Sequence, residues 1–367
     1  MIKLIALTIT LLLTSTIMAS AEEKVRVLVM DDLPSLTLHI PDDYEVRDDT
    51  GGKSVTRAQG GSEVVLGKGG GGDAGVRILA GDSVVNVENF ALTGVIDVTK
   101  NSKGLYRIIN VIGLEDYTRA VIGEEMPSGW PIEALKAQAV VARTYTLYRK
   151  RASKAADYDL CSTVNSQMFA GDGREKEGPA RAVRETEGEV LTTYQGEPIE
   201  ALYHASCGGS TEDASEVWDR EAPYLKSRNC PCNEISPFSR WTKGFSADDM
   251  ETALRRDGYE VFGVSCVKVV KKSRSGRAKM VRIDGDTGSV SVKANDLRRI
   301  LGYNALPSAM FEVKRQNGGF VFTGRGSGHG VGMCQWGAKE LAGEGLSYAE
   351  ILARYYPGTK ITNLKDK

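Results

Sequence analysis

From Ile132 to about Ala152 the chain contains neither glycine nor proline, and Pro131 stands where a first helical residue belongs. Ala134, Leu135, Ala137, Ala139, Val140, Val141 and Ala142 make this stretch apolar nearly all round. A helix of that kind is stable in water only at the centre of a core, so the rest of the chain must wrap it. Two cations interrupt its middle, Lys136 and Arg143. They are seven residues apart, close to two helical turns, and so share one stripe. Buried cations need partners. Either they snorkel or pair with structural carboxylates, or they serve a site.

What flanks the helix reads as strand. Val25–Val29, Val84–Val87 and Tyr106–Val111 are β-branched runs bounded by Asp and Gly turns. Residues 155 to 230 alternate short strands and turns, and a second strand-rich region runs from about 259 to 323. Within it Lys268, Lys271, Lys272, Arg274, Arg277, Lys279 and Arg282 form a basic hairpin around Ser275-Gly276. Such a hairpin is either an edge kept soluble by charge or a contact for a polyanionic polymer. Near the end, Ser347-x-x-Glu350 is a capping box, and Pro357-Gly358 stops the helix after Tyr355-Tyr356. Strands before and after a buried central helix, with a short C-terminal helical segment, predict the α+β class.

Composition limits the function. Charged residues are 26% and hydrophobic ones 41%, enough to bury a core and too apolar for a disordered chain. The net charge of −1 gives no bulk attraction to nucleic acid. Gly67-Lys68-Gly69-Gly70-Gly71-Gly72 matches G-x-G-x-x-G, but no strand–helix context supports a phosphate cradle. Lys3, the apolar run Leu4–Met18 and Ala19-Ser20-Ala21 read as a secretory signal peptide cleaved after Ala21. Fifteen residues are few for a membrane span. The mature chain of 367 − 21 = 346 residues is then expected outside the cytoplasmic membrane, in the periplasm or cell wall, without stable membrane insertion. ATP- and NAD-driven chemistry is unsuited to that compartment.

Val121-Ile122-Gly123-Glu124-Glu125-Met126-Pro127 puts two acids in a Gly/Pro-bounded turn just before the buried helix. A carboxyl beside Met126 and Trp130 can have a raised pKa and act as an acid near neutrality. Acids before a helix also stabilise its dipole. Glu115-Asp116-Tyr117-x-x-x-Val121-x-x-Glu124-Glu125-Met126-Pro127, continuing through Glu133-Ala134-Leu135-Lys136-Ala137-Gln138-Ala139-Val140-x-Ala142-Arg143-Thr144-Tyr145, resembles the core motif of the stage II sporulation protein D family. These are lytic transglycosylases of peptidoglycan, with amidase-enhancer relatives. Tyr203-His204-x-Ser206-Cys207-Gly208-Gly209-x-Thr211 is similar to a second family motif. Gly326-x-Gly328-His329-Gly330-Val331-Gly332-Met333-Cys334-Gln335-Trp336-Gly337-Ala338, with Tyr355-Tyr356-Pro357-Gly358-Thr359, is similar to a third. The resemblance covers roughly residues 95 to 362. It implies a catalytic domain there, behind a β-rich region 22–94 of unknown role.

The resemblance also implies a reaction. The bond after N-acetylmuramic acid is cut without water, leaving a 1,6-anhydro end. Glu125 stands at the family's catalytic acid, and Lys136 and Arg143 at its helix cations, which are expected to touch substrate or tune Glu125. His329, Gln335 and Tyr356 are the further expected substrate contacts. The expected partners are peptidoglycan glycan strands and a cell-wall amidase, with no nucleic acid. Cys334 and Trp336 depart from the family's common Ser and Tyr. His204-x-x-Cys207 with Cys230-x-Cys232 supplies four ligands for a structural zinc, which some relatives are thought to hold in this region. The competing reading is a disulfide from Cys207 to Cys230 or Cys232. The rival to an enzyme is a non-catalytic peptidoglycan-binding amidase enhancer.

Overall fold

The computed structural model describes residues 23–40, 44–48, 55–58, 61–66, 76–153, 157–163, 166–171, 176–232 and 235–366. The signal peptide read from residues 1–21 and the glycine loop at 67–72 lie outside them.

The first half builds a nine-stranded sheet from β1 (Lys24–Leu33), β2 (Leu36–Ile40), β3 (Tyr44–Asp48), β4 (Val55–Ala58), β5 (Ser62–Leu66), β6 (Val76–Val87), β7 (Phe90–Lys100), β8 (Tyr106–Gly113) and β9 (Leu160–Cys161). Its main path is β4-β3-β6-β7-β8-β1-β9, with β2 joining β5 and β6. Every pairing is antiparallel except β1 with β9. The alternation seen in the sequence explains the faces: Val25, Val27 and Val29 are buried while their neighbours are not. β7 runs through position 94/95 and pairs with both β6 and β8, so the sheet is continuous where the β-rich region was expected to give way to the catalytic domain.

Two helices follow, α1 (Leu114–Glu125) and α2 (Ile132–Ala152). α2 occupies the predicted span, with thirteen of its residues buried. Its small side chains let α1, α3 (Glu177–Glu185), β10 (Glu189–Thr192), α7 (Gln335–Gly343) and α8 (Tyr348–Tyr355) pack around it. The segment 121–125, read as a turn, is instead the last turn of α1. The two acids therefore sit at a helix C-terminus, where the dipole disfavours a carboxylate, and not at the start of α2.

Between these helices lie β11 (Tyr203–His204), α4 (Ala214–Trp218), β18 (Met333–Cys334) and β19 (Lys360–Asn363). β11 pairs with β18 in parallel, and β10 pairs with β19. α3 and α4 replace part of the strand-and-turn pattern expected from 155 to 230. The capping box of α8 is present, with Ser347 and Glu350 bonded reciprocally.

A second, separate apolar core is built by β12 (Trp241–Ser246), α5 (Ala247–Arg256), β13 (Cys266–Lys272), β14 (Ala278–Gly285), β15 (Gly288–Lys293), α6 (Ala294–Leu301), β16 (Phe311–Gln316) and β17 (Gly319–Gly324). They form two three-stranded sheets, β12-β17-β16 and β13-β14-β15. The basic hairpin is β13–β14. Its tip fastens this unit to the rest. Ser273 and Ser275 donate to Glu212, and Arg277 donates to the carbonyls of Cys207 and Ser210 at 2.6 and 3.0 Å. Arg277 is thus buried and structural, unlike the other cations of the hairpin.

The mixed helix and strand content is the predicted α+β class.

Candidate active site and cysteine cluster

Glu125 ends α1 and opens into a cleft of about 490 Å³. Its Oε1 accepts hydrogen bonds from the Met168 amide (3.1 Å) and the Tyr203 hydroxyl (3.0 Å), and its Oε2 accepts from Gln335 Nε2 (3.2 Å). Burial raises its pKa, and the three donors, which favour the charged form, pull the other way without cancelling that rise. Tyr203 is itself held by Gln167 Nε2 (3.3 Å), and the Gln167 oxygen accepts from Tyr117 and Thr146. A chain of fixed side chains from α1 and α2 therefore aims one hydroxyl at one carboxyl.

The other walls of the cleft come from Tyr145, Arg149, Glu200, His204, Trp218, Arg220, Gly328 and His329. Glu200 is paired with Arg220. Arg149 donates to the Tyr145 hydroxyl at 3.2 Å. Both histidines are neutral imidazoles. Burial drives His204 well below the usual value, and burial and then Arg298 lower His329 to about 3. The His204 Nδ1–H donates to the Val331 carbonyl (3.1 Å), so Nε2 is a bare acceptor; buried in the cleft wall, it has no partner among the described residues. His329 Nδ1 accepts from the Val331 amide at 3.1 Å.

Between β17 and β18 the glycine-rich motif is loop. Gly326, Gly328, Gly330 and Gly332 all have positive φ. A Cβ on Gly332 would lie 1.9 Å from the Leu202 carbonyl oxygen, and one on Gly328 2.7 Å from His204 Cβ. These glycines allow the third motif to press its backbone against the second, which sets His204 and His329 side by side with ring centroids 5.5 Å apart.

Glu124 points elsewhere and pairs with Lys176 at 3.0 Å. Lys136 and Arg143 do share a stripe, but it faces away from the cleft. Lys136 pairs with Glu133 (2.9 Å) and Glu185 (2.6 Å). Arg143 is fully buried; its fork grips Glu115 at 2.8 and 2.6 Å, and it donates to the Glu189 carbonyl at 2.9 Å. Tyr356 is also buried, donating to the Leu202 carbonyl at 2.6 Å and accepting from the Met333 amide at 3.2 Å. Of the expected substrate contacts, the structure brings His329 to Glu125's cleft, sets the buried Gln335 against the Glu125 carboxyl, and gives Lys136, Arg143 and Tyr356 protein partners elsewhere. Tyr203, Gln167 and Arg149 were not anticipated. Tyr203 stood in a motif without a role, and nothing in the local sequence marks Gln167.

The expected ligand set His204, Cys207, Cys230 and Cys232 needs one correction: Cys334 replaces His204, whose ring faces the cleft. The sulfurs of Cys207, Cys230, Cys232 and Cys334 lie within 4.8 Å of one another, all buried. Among the described residues there is no disulfide; Cys207 and Cys232 are 3.3 Å apart. Tetrahedral thiolates around a metal at about 2.3 Å stand roughly 3.8 Å from each other, so the cluster could bind a metal. Cys334 also caps α7, its sulfur accepting from the amides of Cys207 and Gly337, both at 3.3 Å. Burial and the neighbouring sulfurs push the Cys334 thiol up, against the pull of the helix amides toward a thiolate.

Comparison with known proteins adds the relationship. The family described as "Stage II sporulation protein" matches residues 102–194, and a domain of unknown function matches residues 225–332, which takes in the second core. An uncharacterised protein of Brachyspira hyodysenteriae is 36% identical over 70% of this chain and 68% of its own length. Stage II sporulation protein D of Bacillus subtilis is 36% identical over 68% of this chain and 75% of its own. The amidase enhancer of Bacillus subtilis is 31% identical over 67% of this chain and 40% of its own. By identity and coverage together, the chain belongs to the stage II sporulation protein D family.

Proposed function

We propose that this protein is an exported peptidoglycan lytic transglycosylase. In this reading it cleaves the bond from N-acetylmuramic acid to N-acetylglucosamine and leaves 1,6-anhydro ends. The observation that carries the proposal is Glu125: one carboxyl with a raised pKa, held by three donors at the edge of a cleft, with no second free carboxylate beside it among the described residues. The other acid of the cleft, Glu200, is neutralised by Arg220. An ordinary glycosidase needs two carboxyl groups, one of them to activate water or attack the sugar. A transglycosylase needs one.

Glu125 protonates the glycosidic oxygen as the bond breaks. The carboxylate so formed takes the proton from the sugar's own C6 hydroxyl, which closes the anhydro ring. The three donors hold the carboxyl in one orientation through both steps, and Tyr203 and Gln335 stabilise its charged form between them. Glu124, paired with Lys176, has no part in the chemistry.

Cys207, Cys230, Cys232 and Cys334 hold a structural zinc in this reading. Four thiolates fill its shell, so it serves as a cross-link that ties the second motif to the start of α7. Export rests on the leader read at residues 1–21. Among the described residues no helix is long and apolar enough to cross a membrane.

The second reading is a peptidoglycan binder that enhances a cell-wall amidase, prompted by the relative of that name. Glu125→Gln separates the two. It keeps the shape and removes the acid, and loss of general acid–base catalysis costs on the order of 10²–10⁴-fold. The variant should bind glycan strands and release almost no anhydro ends, while Glu124→Gln remains active. A Glu125→Gln protein indistinguishable from wild type in every wall assay would leave the binder as the better account.

A further inference from the structure

The second unit differs in charge from everything around it. Residues 235–325 contain 17 Lys and Arg against 9 Asp and Glu, a net of +8 in a chain of net −1. The other residues therefore total −9. Eight of these cations are not neutralised in place. Arg240, Lys243, Lys268, Lys271, Arg274, Lys314, Arg315 and Arg325 have no ion-pair partner among the described residues.

The geometry concentrates part of this charge. A groove of about 660 Å³ runs where the end of the β12-β17-β16 sheet meets the basic hairpin. Arg240, Arg325 and Lys272 line it together with Ser239 and Thr323. Its single acid, Glu312, is 3.7 Å from Lys272. The outward positions of the adjoining sheet continue the surface with Thr242, Ser246, Lys314 and Gln316, while Phe311, Phe320 and Phe322 face the core. Lysines alone can guard an edge strand against aggregation. Here one sign dominates across three separate chain segments, which creates a field and not merely a soluble edge.

The groove also lies close to the cleft. Arg325 is three residues from Gly328, which lines the cleft beside His329. Three residues span at most about 11 Å.

We propose that this groove and sheet face bind a linear anionic polymer of the cell envelope, one whose repeating units carry phosphodiester groups. The arginines and Lys272 contact the phosphates, and the hydroxyl and amide side chains of the sheet contact the units between them. The unit thereby holds the chain on the wall and brings the cleft to glycan. A flat membrane surface fits less well, because the cations line a concave groove.

The test is independent of catalysis. The mature chain carrying Glu125→Gln is titrated with soluble poly(glycerol phosphate), followed by fluorescence anisotropy at several salt concentrations. Neutral dextran and vesicles of phosphatidylglycerol are the comparison ligands. The triple variant Arg240→Gln/Lys272→Gln/Arg325→Gln is compared with Arg240→Lys/Arg325→Lys, which keeps the charge. The thermal melt of each reports folding. Binding to the polymer should weaken with salt, and the log–log slope should be smaller by about 2 for the triple variant, each lost contact contributing about 0.7. Affinity should fall at least tenfold there and stay within about threefold for the lysine variant. Equal binding and equal slope in wild type and the folded triple variant would overturn the proposal. So would preference for vesicles, or competition by dextran. If the triple variant is unfolded, Lys314→Gln with Arg240→Gln, both exposed, gives the same decision. None of these outcomes depends on whether Glu125 cuts glycan.

Discussion

Arg143 is the residue whose expected and observed surroundings differ most, and its removal distinguishes a substrate contact from a structural one. Its guanidinium is fully buried, bidentate to Glu115 and bonded to the Glu189 carbonyl. Arg143→Met removes the cation but not the burial. Glu115 then keeps only the Gly188 amide at 3.2 Å, and the Glu189 carbonyl loses a donor. Removing one partner of a fully buried pair costs roughly 3–5 kcal/mol, and the partial exposure of Glu115 lowers this to about 2–4 kcal/mol. At about 2–4 °C per kcal/mol this lowers the melting temperature by roughly 4–16 °C. Arg143→Lys keeps the charge but cannot form the two-pronged bond, and should cost about 1–3 kcal/mol. Thermal and urea unfolding measure both, alongside kcat and KM on purified glycan strands, normalised to folded protein. The structure predicts large stability losses and near-normal kinetic constants for the folded fraction. Glu115→Gln combined with Arg143→Met should be less damaging than the sum of the single changes, because the stranded charge is gone. A lysine variant of wild-type stability whose KM rises tenfold or more would refute this reasoning and make Arg143 a substrate contact.

Three further outcomes follow from the site. Gln335→Ala removes a donor that favours ionised Glu125, so the carboxyl's pKa should rise; since the protonated form starts the reaction, the alkaline limb of the pH–rate profile should move to higher pH, and an unmoved or lowered limb would contradict the assigned hydrogen bond. Cys334→Ser should lower the zinc content of protein purified without added metal from about one equivalent to well below it, whereas His204→Gln should leave it unchanged; retention in the first or loss in the second would restore the histidine to the ligand set. Gly332→Ala, with φ near +73° and a Cβ 1.9 Å from the Leu202 oxygen, should destabilise by at least about 2 kcal/mol in denaturant unfolding; a neutral result would mean that the second and third motifs are not packed as described.

How far the sequence could be read depends on whether the signal is local. The span of α2, the strands around Val25, Val84 and Tyr106, the β13–β14 hairpin and the capping box at Ser347 all announce themselves within a few residues, and all are present. The direction of the Lys136–Arg143 stripe was not local. Periodicity put both cations on one face, but their partners Glu115, Glu185 and Glu189 come from three other elements. The acids at 124 and 125 were assigned to a turn because Gly123 and Pro127 bracket them; burial of Val121 and Ile122 against the core carries α1 through the glycine. The cysteine cluster was three-quarters legible. In the sequence Cys334 stands out only as a departure from Ser, yet a capping hydroxyl and a capping sulfur use the same helix amides, and that equivalence is the available clue. Gln167 offered none, since its role exists only once α1, α2 and β11 have converged.

The measurement that tests the central claim most directly is mass spectrometry of muropeptides and glycan ends after digestion of purified peptidoglycan with the mature chain. Samples are taken with and without prior removal of stem peptides, and Glu125→Gln serves as the control. The account predicts new 1,6-anhydro-N-acetylmuramic ends, 18 Da lighter than hydrolysed ones as loss of one water requires, that are absent with the variant. Ordinary reducing ends, or no new ends on either substrate from folded protein, would contradict it.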